Sequence, residues 1–252
     1  MKKNILGIAG LGALLFFGCE NNEKHDTAEF QIGLSDENAV LLSDKVMEAV
    51  GGVKRLQDVK LIVFDFLVTE NDSVRTKRSH RWDRASNVDF VEWSEGDSMR
   101  FRVELETATR SGKAFLNDEA LTIPNDVDAA VQRAYAMFIN DAYWLLAPFK
   151  LQDPGVSLKY QGLKTENDAS HEIITLLFDG VGLTPENQYD LYIDPNSNLI
   201  KFWDYKPTEN APATRFSWEN WVELEGMKFS TEHSFAEGRR KVKIENLHIE
   251  LR

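Results

Sequence analysis

Residues 99–107 read MRFRVELET. Met99, Phe101, Val103 and Leu105 alternate with Arg100, Arg102, Glu104 and Glu106. Successive side chains of a strand point to opposite faces. The segment therefore predicts a strand with one face in a core and the other in water, as antiparallel sheets commonly present. Just upstream, 59–68 (VKLIVFDFLV) is rich in β-branched and aromatic residues and apolar on both faces except at Lys60 and Asp65, which predicts a more deeply buried strand. Between them, 75–84 and 88–94 read as strands joined by Ala85-Ser86-Asn87, and 113–116 is a short strand ending at Asn117-Asp118.

The same grammar returns towards the C-terminus. Strands are predicted at 156–163, 171–178, 189–194, 199–205, 213–224, 227–235 and 241–251. The turns between them include Asp179-Gly180, 194–198 (DPNSN), Glu225-Gly226 and Glu237-Gly238. In the last strand Val242 and Ile244 share a face, while Leu247, Ile249 and Leu251 continue one residue out of step. That predicts a bulge near Glu245-Asn246. Two amphipathic helices interrupt the strands. One covers 38–50, with Asp36 or Ser43 as its cap and Gly51-Gly52 as its stop. The other starts near Asn125 or Asp126 and ends by Pro148, with Val127, Val131, Ala134, Phe138, Ala142 and Leu145 as its stripe. Short connections favour antiparallel neighbours, and a sheet of so many strands tends to curl. The predicted class is mainly β (α+β): one long curved antiparallel sheet, an incomplete β-barrel, with about two helices on its concave side.

The N-terminus carries an address. Lys2 and Lys3 precede an apolar run, 5–17, too short for a bilayer-spanning helix of ~20 residues. The run ends in Phe16-Phe17-Gly18-Cys19, which resembles the lipobox of bacterial lipoproteins, with Phe16 where Leu is usual. The alternative is an ordinary secretory signal that happens to contain a cysteine. Cys19 is the single cysteine of the chain, and lipidation explains an odd cysteine in an exported protein. Several acyl chains at ~0.8 kcal/mol per buried CH₂ would anchor it stably. The expected organisation is a signal peptide over 1–18, a flexible tether over 19–35 and one domain over 36–252. Glu20, rather than an Asp that retains lipoproteins at the inner membrane, points to the outer membrane.

The formal net charge of -12 falls to about -14 once Lys2 and Lys3 leave. Such an acidic chain is poorly suited to nucleic acid, whose binding depends on neutralising phosphates. The 42% hydrophobic content suffices for a real core.

Three segments resemble the envelope lipoprotein-carrier superfamily of LolA, LolB, LppX and the RseB N-terminal domain. Residues 42–60 look like its opening helix, running through Gly-Gly into the first strand. Residues 187–202 (NQYDLYIDPNSNLIKF) and 221–234 (WVELEGMKFSTEHS) look like its hairpins. A further stretch, 142–155 (AYWLLAPFKLQDPG), resembles one found in uncharacterised lipoproteins of this broad type. Phe229 and Ser230 stand where LolA has a proline near the second strand of the later hairpin. The resemblance implies a half-barrel with an apolar concavity. LolA itself is an unanchored shuttle, so an anchored Cys19 argues for receiving or holding a ligand and not for free transport.

No nucleophile elbow, phosphate loop or HExxH spacing is present in the sequence. His80, His171, His233 and His248 fall in predicted strands and could converge. Asp65 would titrate high if it were buried alone; pairing with an arginine or a place at the sheet edge is the expected outcome. The aromatics leave three readings open: a packed core, the lining of an apolar cavity, or an exposed sugar-stacking platform. The resemblance favours the cavity, with Phe64, Phe66, Phe101, Phe138, Trp144, Leu176, Phe178 and Trp203 as its lining. The expectation is a membrane-anchored, non-enzymatic envelope protein that binds a lipid or lipoprotein acyl chain, without metal or cofactor. An unidentified envelope protein partner is left open. The alternatives are a surface glycan-binding module using exposed tryptophans and, further off, a hydrolase.

Overall fold

The structure, a computed structural model, describes residues 29–166 and 168–252. The signal peptide, Cys19 and most of the tether lie outside the described residues. The first helix, α1 (Glu37–Ala49), buries Ala39, Leu42, Val46 and Met47, and a short α2 (Val53–Gln57) follows it. Then come β1 (Val59–Glu70), β2 (Ser73–Asp83), β3 (Val88–Glu95), β4 (Met99–Glu106), β5 (Ser111–Leu116) and the two-residue β6 (Glu119–Ala120). The long helix α3 (Pro124–Leu146) separates these from β7 (Val156–Glu166), β8 (Ala169–Phe178), β9 (Gln188–Ile193), β10 (Ile200–Lys206), β11 (Thr214–Ser217), β12 (Glu219–Leu224), β13 (Met227–Ser234) and β14 (Arg240–Leu251).

The mainly β class with few helices holds, and neither sheet closes into a barrel. The strands nevertheless form two antiparallel sheets where one was expected. Nine strands run in the order β12-β13-β14-β1-β2-β3-β4-β5-β6, and five in the order β11-β10-β9-β8-β7. The division falls inside the segment read as one strand over 213–224. β11 pairs with β10, whereas β12 pairs with β13. Between them Trp218 is 1% exposed, and its amide donates to the Lys201 carbonyl at 2.8 Å. A strand that changes sheets makes a corner. Here the corner is tied by a bridge between Phe216 and Phe235 and by the Ala236 amide donating to the Arg215 carbonyl at 3.2 Å.

The bulge in the last strand is present. Val63 pairs with His248 and Asp65 with Glu245, so Asn246 and Leu247 both stand opposite Phe64. Asn246 takes a positive φ of 53°, a conformation asparagine tolerates better than most residues. Its amide donates to Asp65 at 2.6 Å. Asp65 also accepts from Ser79 at 2.5 Å and pairs with Lys77 at 2.8 Å. Its partner is thus a lysine where an arginine or a sheet edge was expected, and it sits on a strand inside the nine-stranded sheet. Burial raises its pKa, but the bonds from Lys77, Ser79 and Asn246 outweigh burial and hold the carboxyl below its ordinary value.

Two further boundaries differ from expectation. Helix α3 opens on Pro124, with Ile123 as its N-cap and no side-chain cap. Proline's fixed φ suits the first helical position, so Asn125 and Asp126 fall inside the helix. Residues 29–35, assigned to the tether, instead lie along β7. The Gly155 amide donates to the Glu29 carbonyl at 3.0 Å, Gln31 to Val156 at 2.9 Å and Asp36 to Leu158 at 2.9 Å. This covers a sheet edge that would otherwise present unpaired backbone groups. Asp36 stands at the N-cap of α1, where its carbonyl accepts from the Val40 amide at 3.0 Å, but its carboxylate makes no capping bond and accepts from the Tyr160 amide at 2.9 Å.

Gly51 has φ +109°, and a Cβ there would lie 2.5 Å from the Gly226 carbonyl oxygen. Only glycine lets the β12–β13 turn seat on the corner between α1 and α2, where the Lys228 amide donates to the Val50 carbonyl at 2.9 Å.

Candidate functional site

Three apolar clusters fill the interior. One joins α1 to the five-stranded sheet and includes Leu158, Ile174, Leu176, Leu191, Trp203, Phe216 and Trp218. A second, on the nine-stranded sheet, includes Ile62, Phe64, Phe66, Leu145, Phe149, Phe229 and Ile244. The third lies under the first half of α3 and includes Val91, Trp93, Val103, Leu105, Val131 and Phe138. Trp144 and Trp221 pack against both of the first two clusters. The meeting line of the two sheets is therefore aromatic.

At this seam the rings are closely spaced. Trp144 lies 4.7 Å from Trp203 and 5.1 Å from Phe216, centroid to centroid; Trp203 lies 5.4 Å from Trp218 and 4.6 Å from Tyr189. His233 sits between Trp218 at 4.5 Å and Trp144 at 5.0 Å. Trp203, Trp218 and His233 form the buried floor, whereas Tyr143, Trp144, Phe178, Tyr189 and Tyr205 are only partly buried. The seam thus has an enclosed aromatic base and a rim that reaches solvent.

Its polar atoms are unusual. Among the described residues, the indole nitrogens of Trp203, Trp218 and Trp221 are buried without a hydrogen-bond partner, and the buried His233 ring has at most a poorly directed contact with the Ser217 backbone. Buried polar groups are overwhelmingly paired, and each exception asks for an explanation. Burial pushes the His233 pKa down to about 3, so the ring is neutral. Burial also pushes the Tyr143 hydroxyl well up, and the Tyr189 hydroxyl to about 12.

Of the eight residues read as a cavity lining, the structure brings Trp144, Leu176, Phe178 and Trp203 to this seam. Phe64 and Phe66 belong to the second cluster, which Trp144 also touches. Phe101 and Phe138 lie with the third, stacked on Trp93 at 5.0 Å and edge-on to Trp82 at 4.9 Å respectively. The sequence reading did not single out His233 and Trp218 for this place. A signal existed: His233 lies in the 221–234 hairpin and Trp218 just before it, and a histidine on an apolar strand face has to find a partner or stay neutral.

The four strand histidines do not converge. His248 is exposed near Glu250; His171 lies 5.7 Å from Phe202 on the five-stranded sheet. His80 belongs to a separate buried network. Its Nδ1 is 2.8 Å from Asp89 and its Nε2 is 3.0 Å from Asp141 of α3. Arg78 Nε lies 2.8 Å from the same Asp141 oxygen, close but poorly directed for a hydrogen bond. Phe64 stacks on His80 at 4.7 Å, and the Arg78 guanidinium lies over Phe66 at 4.6 Å. Burial works against a charged His80, but the bonds to Asp141 and Asp89 prevail and raise its pKa to about 9. With His80 protonated, two cations face two carboxylates, and the network pins α3 to the sheet. His80, Asp89 and Asp141 are at most 1% exposed, so substrate has no approach to them.

All six tryptophans are buried or partly buried, so none offers the fully exposed face that a sugar-stacking platform uses. A shallow recess of about 180 Å³ lies between the β4–β5 turn and the start of α3, beside Arg110, Asp128 and Gln132 and away from the seam. No described helix is long and apolar enough to cross a membrane.

Fold and site together define a class: an open, two-sheet β protein with an aromatic seam under one long helix. No protein-family model matches the chain, and no curated protein matches it in sequence. Among solved structures it is similar to a DUF1329 family protein from Desulfovibrio piger, with a TM-score of 0.48 and 9% identity over 85% of this chain and 94% of that one. It is similar to a domain assigned to outer membrane lipoprotein sorting from Vibrio parahaemolyticus, with a TM-score of 0.45 and 8% identity over 85% and 93%. It is also similar to a LolA superfamily protein from Nitrosomonas europaea, with a TM-score of 0.42 and 11% identity over 82% and 93%. The likeness is one of chain path and assigns neither ligand nor residue.

Proposed function

We propose that this protein is a lipid-anchored protein of the cell envelope, held at the outer membrane through Cys19, that binds an acyl chain between its two sheets. The observation that carries the reading is the seam. Apolar surface from both sheets and from α3 meets there, and its rim of Tyr143, Trp144, Phe178 and Tyr189 reaches solvent. Ligand sites for apolar molecules have this makeup: mostly apolar and aromatic walls with a few polar atoms. The packed rings of the ligand-free protein would part at Trp144, the side chain shared by both clusters. Phe64 and Phe66 then lie behind the deep end of the chain, and Phe138 of α3 and Phe101 of β4 belong to the cluster that seats the helix on the sheet beyond it. The ordered stretch from Glu29 leaves only a short tether back to Cys19, which holds the domain at the membrane surface.

Native mass spectrometry of the full chain carrying Cys19→Ser, secreted and purified from cells without detergent, tests this. That substitution removes the anchor, so any lipid retained is held by the domain. A co-purifying acyl lipid is expected. Protein that is repeatedly lipid-free, and that takes up no acyl lipid on mixing with vesicles, would refute the reading.

A further inference from the structure

A 3₁₀ turn, Ile32–Leu34, presents two bare aliphatic side chains close to where the described chain begins. Ile32 is 68% exposed and Leu34 59%, and among the described residues Ile32 is the most exposed large apolar side chain. A single exposed apolar residue is ordinary on a protein surface. This turn differs because it buries no residue of its own and is nevertheless fastened to the five-stranded sheet. The Ser35 hydroxyl donates to the Gln31 carbonyl at 2.9 Å and accepts from the Leu158 amide at 3.0 Å. The Lys159 ammonium donates to the Leu34 carbonyl at 2.9 Å. Phe30, just before the turn, packs inward on the first cluster. Polar bonds thus hold the backbone of the turn while Ile32 and Leu34 stay in water.

The anchor supplies the occupant for this patch. Glu29, where the described chain begins, is ten residues from Cys19. Ten residues reach at most about 36 Å when fully extended. A patch confined so close to the bilayer meets it as an intramolecular partner, and an apolar contact too weak to recruit a free protein then suffices to hold an anchored one. Removing Ile32 and Leu34 from water is favourable in proportion to the apolar area they bury. The charges beside the turn do not favour an anionic surface. Lys159 is 3.5 Å from Asp36, which offsets it, and Glu29 and Glu37 flank the turn in sequence.

We propose that Ile32 and Leu34 insert into the interfacial region of the membrane to which Cys19 is anchored, and so orient the domain with the β7 edge of its five-stranded sheet towards the lipid. The contact is apolar and suits a zwitterionic surface. This rests on attachment through Cys19 and is independent of what the seam binds.

The test couples the mature chain, residues 19–252, through its single cysteine to vesicles of phosphatidylethanolamine and phosphatidylcholine that carry a maleimide headgroup. A phospholipid with a diazirine in its acyl chain is then photolysed. Ile32 and Leu34 are expected to be labelled about tenfold or more above Val74, which is 55% exposed on the nine-stranded sheet. Ile32→Ser together with Leu34→Ser removes no buried side chain, so the fold is retained. The pair is expected to reduce label over residues 29–36 by about tenfold or more, even though a carbene also inserts into a serine hydroxyl. Label at Val74 equal to that at the turn, or label over 29–36 that survives the double substitution, overturns the proposal. So does a dimer of the Cys19→Ser chain in sedimentation that the double substitution abolishes, since the turn would then belong to a second copy. Label at the seam without label at the turn overturns this proposal and leaves acyl-chain binding standing. Label at the turn without label at the seam supports the docking and counts against the acyl-chain reading.

Discussion

Asp141 holds two cations in place from one turn of α3. Its Oδ2 lies 2.8 Å from Arg78 and 3.0 Å from His80, and its side chain is fully buried. Taking its charge away leaves the buried cations Arg78 and His80 with Asp89 as the remaining carboxylate of the network. Breaking one partner of a buried pair costs about 3–5 kcal/mol, so Asp141→Asn is expected to lower stability by that amount in urea denaturation. A loss below about 0.5 kcal/mol would mean that the network contributes nothing. This group was hidden in the sequence by its surroundings. Asp141 falls on the apolar stripe between Phe138 and Leu145, and a stripe is read for its apolar members. The available signal was the alternation of Arg78, His80 and Trp82 on one face of β2, which places two basic groups towards a core and so demands carboxylates opposite. The neighbouring strand supplies one in Asp89; the helix supplies the other.

At the scale of elements, the corner between β11 and β12 decides how the sheets meet. Trp218 fills it, packed on Trp203 and His233. Large-to-small changes of a buried aromatic cost about 3–5 kcal/mol, and Trp218→Ala is expected to fall in that range. Gly51→Ala is expected to cost about 1–3 kcal/mol, because its positive φ and the 2.5 Å approach to Gly226 both oppose a side chain. Thermal denaturation of the two variants checks both values, and unchanged melting in either would remove that contact from the account. Most elements were legible because their patterns are one-sided: the alternation along β4, the stripe along α3, the step out of phase along β14. The corner was not. Residues 213–224 read as one β-rich run, and nothing local to Trp218 distinguishes a strand that continues from one that changes sheets. That choice belongs to tertiary pairing, where Phe216 meets Phe235. The two short elements that were missed, α2 and β6, have too few residues to show a period.

For the whole molecule, two buried histidines pull in opposite directions. His80 is protonated in the fold, its pKa raised from 6.5 to about 9. Its contribution is complete below pH 6.5 and is lost as the pH climbs towards 9. His233 is neutral in the fold, its pKa lowered from 6.5 to about 3. Only the unfolded chain takes up that proton, so stability falls as the pH drops from 6.5 towards 3. Stability is therefore expected to peak near pH 6.5. His80→Gln is expected to flatten the alkaline limb of a melting-temperature profile, and His233→Phe to make the acid limb shallower. A profile that keeps both limbs in both variants would contradict this assignment.

The central claim is that an acyl chain lies between the two sheets at Trp144 and Trp203. A diazirine-bearing acyl glycerol, photo-crosslinked to the Cys19→Ser chain and mapped by peptide mass spectrometry, tests it most directly. The expected result is label in the peptides spanning 142–150 and 200–221, competed away by unlabelled monoacylglycerol. Label spread over exposed apolar residues such as Ile32, Leu34 and Leu163, with none at the seam, would contradict it.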